Sequence, residues 1–147
     1  MGYVEDLRAV VGHRPLILVG VVVFIFNPNG ELLLQRKTSG RWAVPGGLME
    51  LGESTEETGR REVLEETGLR VGTMKLVGVA SGQDQFVKLK NGDELYAVTI
   101  VYSTHDIVGG NLQADGVESI ELRYYPLHLL PDDLNPKIKT MILRHIE

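Results

Sequence analysis

Three glutamates, Glu62, Glu65 and Glu66, stand at i, i+3 and i+4 within residues 47–69, GLMELGESTEETGRREVLEETGL. On a helix that spacing brings all three carboxylates out on one face within about one turn. Like charges so placed repel by about a few tenths of a kcal/mol per pair in an isolated helix, so something must offset them. One offset is bland. Arg61 can pair with Glu57 and with Glu65, four residues away on either side, and a crowded charged face is usually just solvated. The other is chemical: a hard divalent cation, Mg²⁺ or Mn²⁺, takes carboxylate, backbone carbonyl and phosphate oxygens as its ligands.

The elements that would position these carboxylates are written around them. Ser54 is an N-cap residue and Glu57 completes a capping box, while Gly68 supplies a left-handed stop, so a helix is expected over residues 55–67. Pro45-Gly46-Gly47 makes a side-chain-free approach to it. Glu53 follows Gly47 by six residues, and Arg61-Glu62 follow Glu53 by eight and nine. In this arrangement the stretch resembles the signature of the Nudix hydrolase family, G-x5-E-x7-R-E-U-x-E-E-x-G-U with U aliphatic. Gly47, Glu53, Arg61, Glu62, Val63, Glu65, Glu66, Gly68 and Leu69 fill every specified position. Many members of that family carry alanine where this chain has Thr58 and Gly59. A glycine in mid-helix costs on the order of 1 kcal/mol against alanine, which concerns packing and touches no catalytic position.

The resemblance implies an α/β/α sandwich and hydrolysis of a nucleoside diphosphate linked to a further group, with water attacking phosphorus. It implies Glu62, Glu65 and Glu66 as ligands of Mg²⁺, which Mn²⁺ can replace, and Arg61 as the residue that orients the catalytic glutamate. A backbone carbonyl at Gly46 or Gly47 is expected to add a ligand, because a backbone without a side chain can approach an ion closely. Two readings of Glu53 stand: a further metal ligand, or an anchor for the helix start, where negative charge is favoured. The catalytic base is expected either inside the motif, at Glu62, or outside it among Asp115, Glu118 and Glu121, with Glu118 favoured. Physical chemistry makes the same demand. A pyrophosphate is multiply anionic, so its site must neutralise charge that repels the nucleophile and accumulates on the leaving oxygen.

The rest of the chain sets limits. Its 147 residues fit a single domain over residues 1–147. The net charge of -5 argues against a general binder of nucleic-acid backbones. With no cysteine there is no disulfide framework, zinc–thiolate site or cysteine nucleophile, a pattern that fits the cytoplasm. The apolar run over residues 16–26 is too short to span a bilayer, and its β-branched residues predict a buried strand. Residues 27–30 are a turn joining it to a second strand at 31–36 as a hairpin. A short strand at 42–44 runs into the glycines. Extended segments are expected at 70–79 and 81–89, with a type I′ turn at Asn91-Gly92 leading into a strand at 95–103. A polar loop over 106–116 and a strand at 118–125 precede a last helix, in which Leu134, Ile138, Met141, Ile142 and His145 share one side. An amphipathic helix is expected within residues 1–13, its exposed apolar face a candidate homodimer contact.

Substrate identity has weaker signals. Trp42, Phe86, Tyr96, Tyr124 and Tyr125 are candidates for stacking on a base, and Arg36, Lys37 and Arg41 for holding phosphate or the distal group. ADP-ribose, nucleotide sugars and ordinary or oxidised (deoxy)nucleoside triphosphates all suit such a site. The alternatives are a Nudix-like sensor that binds nucleotide without cutting it, which typically loses glutamates that this chain keeps, and an RNA 5′-end pyrophosphohydrolase, which the acidic balance disfavours.

Overall fold

The computed structural model describes residues 2–146; Met1, where the amino-terminal helix is expected to begin, and Glu147 lie outside the described residues. The long apolar run forms β1 (Leu16–Ile25), which pairs in parallel with β8 (Glu94–Thr104), from Leu16 opposite Leu95 to Ile25 opposite Thr104. The antiparallel strand β4 (Gly46–Leu48) lies along the other edge of β1. The far edge of β8 is shared by β6 (Lys75–Ala80) and β7 (Phe86–Lys88), both antiparallel. A second sheet sets β2 (Leu32–Arg36) between β3 (Trp42–Ala43) and β10 (Glu121–Tyr125). A third pairs β5 (Leu69–Val71) with β9 (Ile107–Gly110).

Side chains alternate across β1, and this fills both sides of the mixed sheet. Val21, Val23 and Ile25 pack with Leu33, Val63, Leu69, Val71 and Met74 beneath α2 (Thr55–Thr67). Phe24 and Phe26 pack with Leu32, Leu34, Trp42, Ile138, Met141 and Ile142 beneath α3 (Pro136–His145). The mixed sheet between helices is thus the expected α/β/α sandwich. By contrast α1 (Tyr3–Val11) buries none of its residues and is tied down by polar contacts, among them Arg8 Nη2 donating to the Glu94 carbonyl at 2.6 Å. Among the described residues no helix is long and apolar enough to cross a membrane.

The structure corrects several local expectations. β2 makes no hairpin with β1 beyond an isolated bridge between Phe26 and Leu32; its partners are β3 and β10. The glycines at 46 and 47 are part of strand β4, and residues 107–110 of the expected polar loop form β9, because β5 needs a partner for its backbone groups. Segment 81–89 is broken by a 3₁₀ turn at Gln83–Gln85. The Asn91-Gly92 turn is not type I′, since Asn91 does not adopt positive φ. The Gly92 amide bonds back to Leu89 and only Gly92 takes φ +96, which is a type I turn closed by a glycine bulge.

α2 keeps its expected bounds for the expected reasons. Ser54 Oγ accepts from the Glu57 amide at 3.0 Å, the Glu57 carboxylate reaches back to the Ser54 amide, and Gly68 closes the helix at φ +76. Gly59 lies against β1, where an added Cβ would stand 3.2 Å from Val23 Cγ2 and 3.3 Å from Val21 Cγ1. The residue that weakens the helix therefore lets it approach the sheet. Replacing the cap, Ser54→Ala, should lower stability by about 1 kcal/mol, read as a lower denaturant midpoint at unchanged m-value.

Candidate active site

The site is assembled where α2 meets β4 and β2. Arg61, one turn and a half into α2, points its guanidinium back toward the loop that precedes the helix. Nε and Nη2 donate to Glu53 Oε2 and Oε1 at 2.7 and 3.0 Å, a two-pronged pair. Nη2 also reaches the Leu48 carbonyl at 3.1 Å, and Nη1 donates to Glu62 Oε1 at 2.7 Å. Glu53 Oε1 accepts further bonds from the Glu50 amide at 2.9 Å and the Thr58 hydroxyl at 3.0 Å. The Arg61 hydrogen bonds hold the Glu53 carboxyl down to about 2, against the opposing effect of burial. Arg61 itself is raised, chiefly by its bonds to Glu53.

Glu62 lies over Gly47. A Cβ on that glycine would stand 2.5 Å from the Glu62 carboxyl carbon, so the missing side chain is the space the carboxylate occupies. Gly46 is constrained from the other direction: a Cβ there would fall on the backbone carbonyl of Val21. Glu66, one turn beyond Glu62, is almost wholly buried. Its Oε1 accepts from Gln35 Nε2 at 2.6 Å and lies 3.6 Å from Lys37 Nζ, while its Oε2 is buried with no hydrogen-bond partner. Burial first, and the neighbouring Glu62 second, push the Glu66 carboxyl well above the ordinary carboxylate range.

Of the three expected ligands, two come together. Glu65 is more than half exposed and turns to Arg61, 3.5 Å away, and among the described residues no group of three acidic or histidine side chains converges on one point. The donor set nevertheless suits a hard cation. It offers two carboxylates side by side, one with an unpartnered buried oxygen, next to a glycine backbone, and such an ion fills its remaining positions with water and phosphate oxygens.

The residues outside the motif divide. A cleft of about 430 Å³ separates the end of α2 from the chain beyond β9, with Glu65, Arg70, Asn111 and Asp115 on its walls. Asp115 Oδ1 accepts from the amides of Val117, Glu118 and Ser119, bonds that lower its pKa, so its carboxylate is tied into the turn. The Glu118 side chain is exposed on that turn. Glu121 belongs to the opposite face of the second sheet, paired with Arg123 at 2.7 Å and Arg36 at 3.7 Å, which removes it from the surroundings of Glu66. Strand alternation explains this: Leu33, Gln35 and Lys37 face α2, whereas Leu34 and Arg36 face away. Arg36 therefore does not stand beside the carboxylates, and Lys37 does.

Trp42 is buried in the α3-side core with Tyr125 edge-on at 5.2 Å and the Arg123 guanidinium over it, so it offers no open face to a base. Tyr96 tilts against Phe86 at 5.2 Å, both partly exposed. Phe86 and Arg41 line a separate pocket of about 320 Å³ with Lys137. Gln35 and Thr58 were not singled out by motif or composition. The available signal for Gln35 is a polar residue two positions after Leu33 on an apolar strand.

The NUDIX domain family model matches residues 16–145. A Bacillus subtilis protein, named provisionally as an 8-oxo-dGTP diphosphatase, is 33% identical over 124 residues, 84% of this chain and 76% of that protein. An ADP-ribose pyrophosphatase of Methanocaldococcus jannaschii is 36% identical over 116 residues, 77% of this chain and 64% of that protein. The crystal structure of a MutT NUDIX hydrolase from Burkholderia pseudomallei superposes with a TM-score of 0.75 at 24% identity, covering 91% of this chain and 99% of that one. A mixed-sheet sandwich with a capped acidic helix laid against a glycine strand is the class these features define. The chain belongs to the Nudix family and is one of its hydrolases.

The raised Glu66 carboxyl gives the metal-free protein a pH signature. A carboxyl with a raised folded-state pKa contributes stability that is complete below the unfolded value of 4.5 and is lost as pH rises toward the folded value. Melting temperature in chelator should therefore fall as pH is raised from about 5 through neutrality, and Glu66→Gln, neutral throughout, should flatten that slope. Glu53 works in the other direction: its contribution is present above 4.5 and lost as pH falls toward about 2. Unfolding curves of Glu53→Gln and the parent protein should therefore converge at the acid end.

Proposed function

We propose that this chain is a divalent-metal-dependent pyrophosphohydrolase that cleaves a nucleoside diphosphate linked to a further group, with Mg²⁺ as the working ion and Mn²⁺ able to replace it. The observation that carries this reading is the buried Glu66 carboxylate, its Oε2 left without a partner beside Glu62. A buried acid of that kind is costly to folding unless something of opposite charge binds it. Glu62 and Glu66 would hold the ion, with a backbone carbonyl of Gly46 or Gly47 beside them. When bound, the ion neutralises the pyrophosphate and acidifies water.

The chain's own residues do the rest. Arg61 fixes Glu62 through a charge-assisted bond, and Glu53, saturated by four hydrogen bonds, acts as the anchor of Arg61 and not as a ligand. Lys37 supplies positive charge at the entrance to Glu66, where a phosphate would otherwise be repelled. Glu65, exposed, loosely paired with Arg61 and facing the cleft, is available to an incoming ion–phosphate complex. Glu118 carries the uncommitted carboxylate on the turn across that cleft and is the proton acceptor in this reading. Nucleotide-type substrates of both kinds named for the relatives, ADP-ribose and oxidised deoxynucleoside triphosphates, fit a site selective for the anhydride. Arg41 with Phe86 and Tyr96 is the surface proposed to meet the base or the distal group.

Purified protein should be tested on ADP-ribose, a nucleotide sugar, a dinucleoside polyphosphate and ordinary and oxidised nucleoside triphosphates, with Mg²⁺, Mn²⁺ or chelator. Cleavage that needs the metal and falls by about 100-fold or more in Glu66→Gln is expected. Retention of nucleotide without cleavage of any of them would replace the enzyme by a sensor. In the same assay Arg61→Lys should lower kcat by about ten-fold or more, because an ammonium cannot span Glu53, Leu48 and Glu62 together.

A further inference from the structure

Gln35 is a polar residue at a buried strand position beside three leucines. Leu32, Leu33 and Leu34 precede it on β2, all fully buried, and Gln35 is equally buried. Its amide nitrogen has two acceptors, Glu66 Oε1 at 2.6 Å and the Val44 carbonyl at 3.2 Å. Its Oε1 is buried with no partner among the described residues. The alternative rotation of the amide would set that oxygen against the Glu66 carboxylate and the Val44 carbonyl, so two acceptors fix which way the group faces. Leucine or methionine there would remove the unsatisfied oxygen but leave Glu66 Oε1 and the Val44 carbonyl without their buried donor, so the amide is held in place by what it donates to.

Its two contacts join one proposed ligand to the chain segment that leads into the glycines. One is the carboxylate of Glu66 on α2. The other is the backbone of Val44, two residues before Gly46. We infer that Gln35 is a positioning residue: it engages one oxygen of Glu66 so that the other faces Glu62, and it locks that carboxylate to the strand entering the glycines. A neutral donor suits this task because it orients the carboxylate without cancelling the charge that attracts a cation. Lys37, at 3.6 Å and partly exposed, carries charge and does not fix direction. Outer partners of this kind tune affinity as well as rate.

The inference rests on the reading of Glu62 and Glu66 as a metal site, and one experiment separates the two. Mn²⁺ binding to the protein without substrate, followed by the electron paramagnetic resonance of free Mn²⁺, is compared for the parent protein, Gln35→Met and Glu66→Gln. Gln35→Met is expected to weaken Mn²⁺ binding by about ten-fold or more. It should also lower kcat on the best nucleotide at little-changed KM, with a modest fall in the metal-free melting temperature because Glu66 Oε1 and the Val44 carbonyl lose their buried donor. Near-parent Mn²⁺ affinity in Gln35→Met, beside loss in Glu66→Gln, would overturn the role of Gln35 alone. Near-parent affinity in Glu66→Gln would remove the metal site and this inference with it. Should Gln35→Met not fold, the side-chain amide resonance of Gln35 in the parent protein is followed through a Mg²⁺ titration. Movement in step with saturation supports the positioning role, and an unmoved resonance refutes it.

Discussion

Arg61 leaves α2 and turns back over the start of its own helix, where the loop from Leu48 to Glu53 closes around its guanidinium. Three anchor points on that loop and helix are satisfied by one planar group: both oxygens of Glu53, the Leu48 carbonyl and Glu62. Without a cation here, Glu53 and Glu62 would repel each other across the same space, and the loop would keep the single bond that the Thr58 hydroxyl, in the first turn of the helix, donates to Glu53. The guanidinium is suited to this because its donors diverge in a fixed plane and its charge does not titrate. The position of the glycine strand relative to the carboxylates follows from that clamp.

Charge in this site is sorted by environment. Glu53 is surrounded by donors and remains ionised far into the acid range, whereas Glu66 is packed against β2 with one amide donor and resists ionisation. The first carboxylate is spent on architecture. The second is left with a buried oxygen that has no hydrogen-bond partner, which is what the proposed cation site rests on. Gly59 is part of the same arrangement. By letting α2 lie close on Val21 and Val23, it brings the carboxylates of the next turn down to the level of β2 and β4.

Much of this was legible in the chain because it depends on neighbours in sequence. The capping box at Ser54 and Glu57, the stop at Gly68 and the spacing of Glu53, Arg61 and Glu62 are local devices, set within one or two helical turns. The less legible parts involve partners far apart in the chain. The trio Glu62, Glu65 and Glu66 shares a helical face, yet Glu65 turns outward to Arg61 because only the other two meet the sheet. Arg36 and Lys37 look interchangeable in composition, but a strand puts successive side chains on opposite faces, so one meets Glu121 and the other Glu66. Trp42 resembles a stacking residue until its place in the α3-side core is known.

The sequence by itself determined the acidic helix, its bounds, the glycine approach, the family and the class of chemistry, since each is written in residue types at short fixed spacing. Only the tertiary structure decided which carboxylate is buried, which is anchored and which is free. Those states depend on desolvation and hydrogen bonds from β2, β4 and the turn after Asp115, none of which has a fixed spacing to the helix in sequence. Gln35 shows the difference most directly. Along the chain it is one polar residue ending a leucine strand, and in the fold it is the donor that holds Glu66.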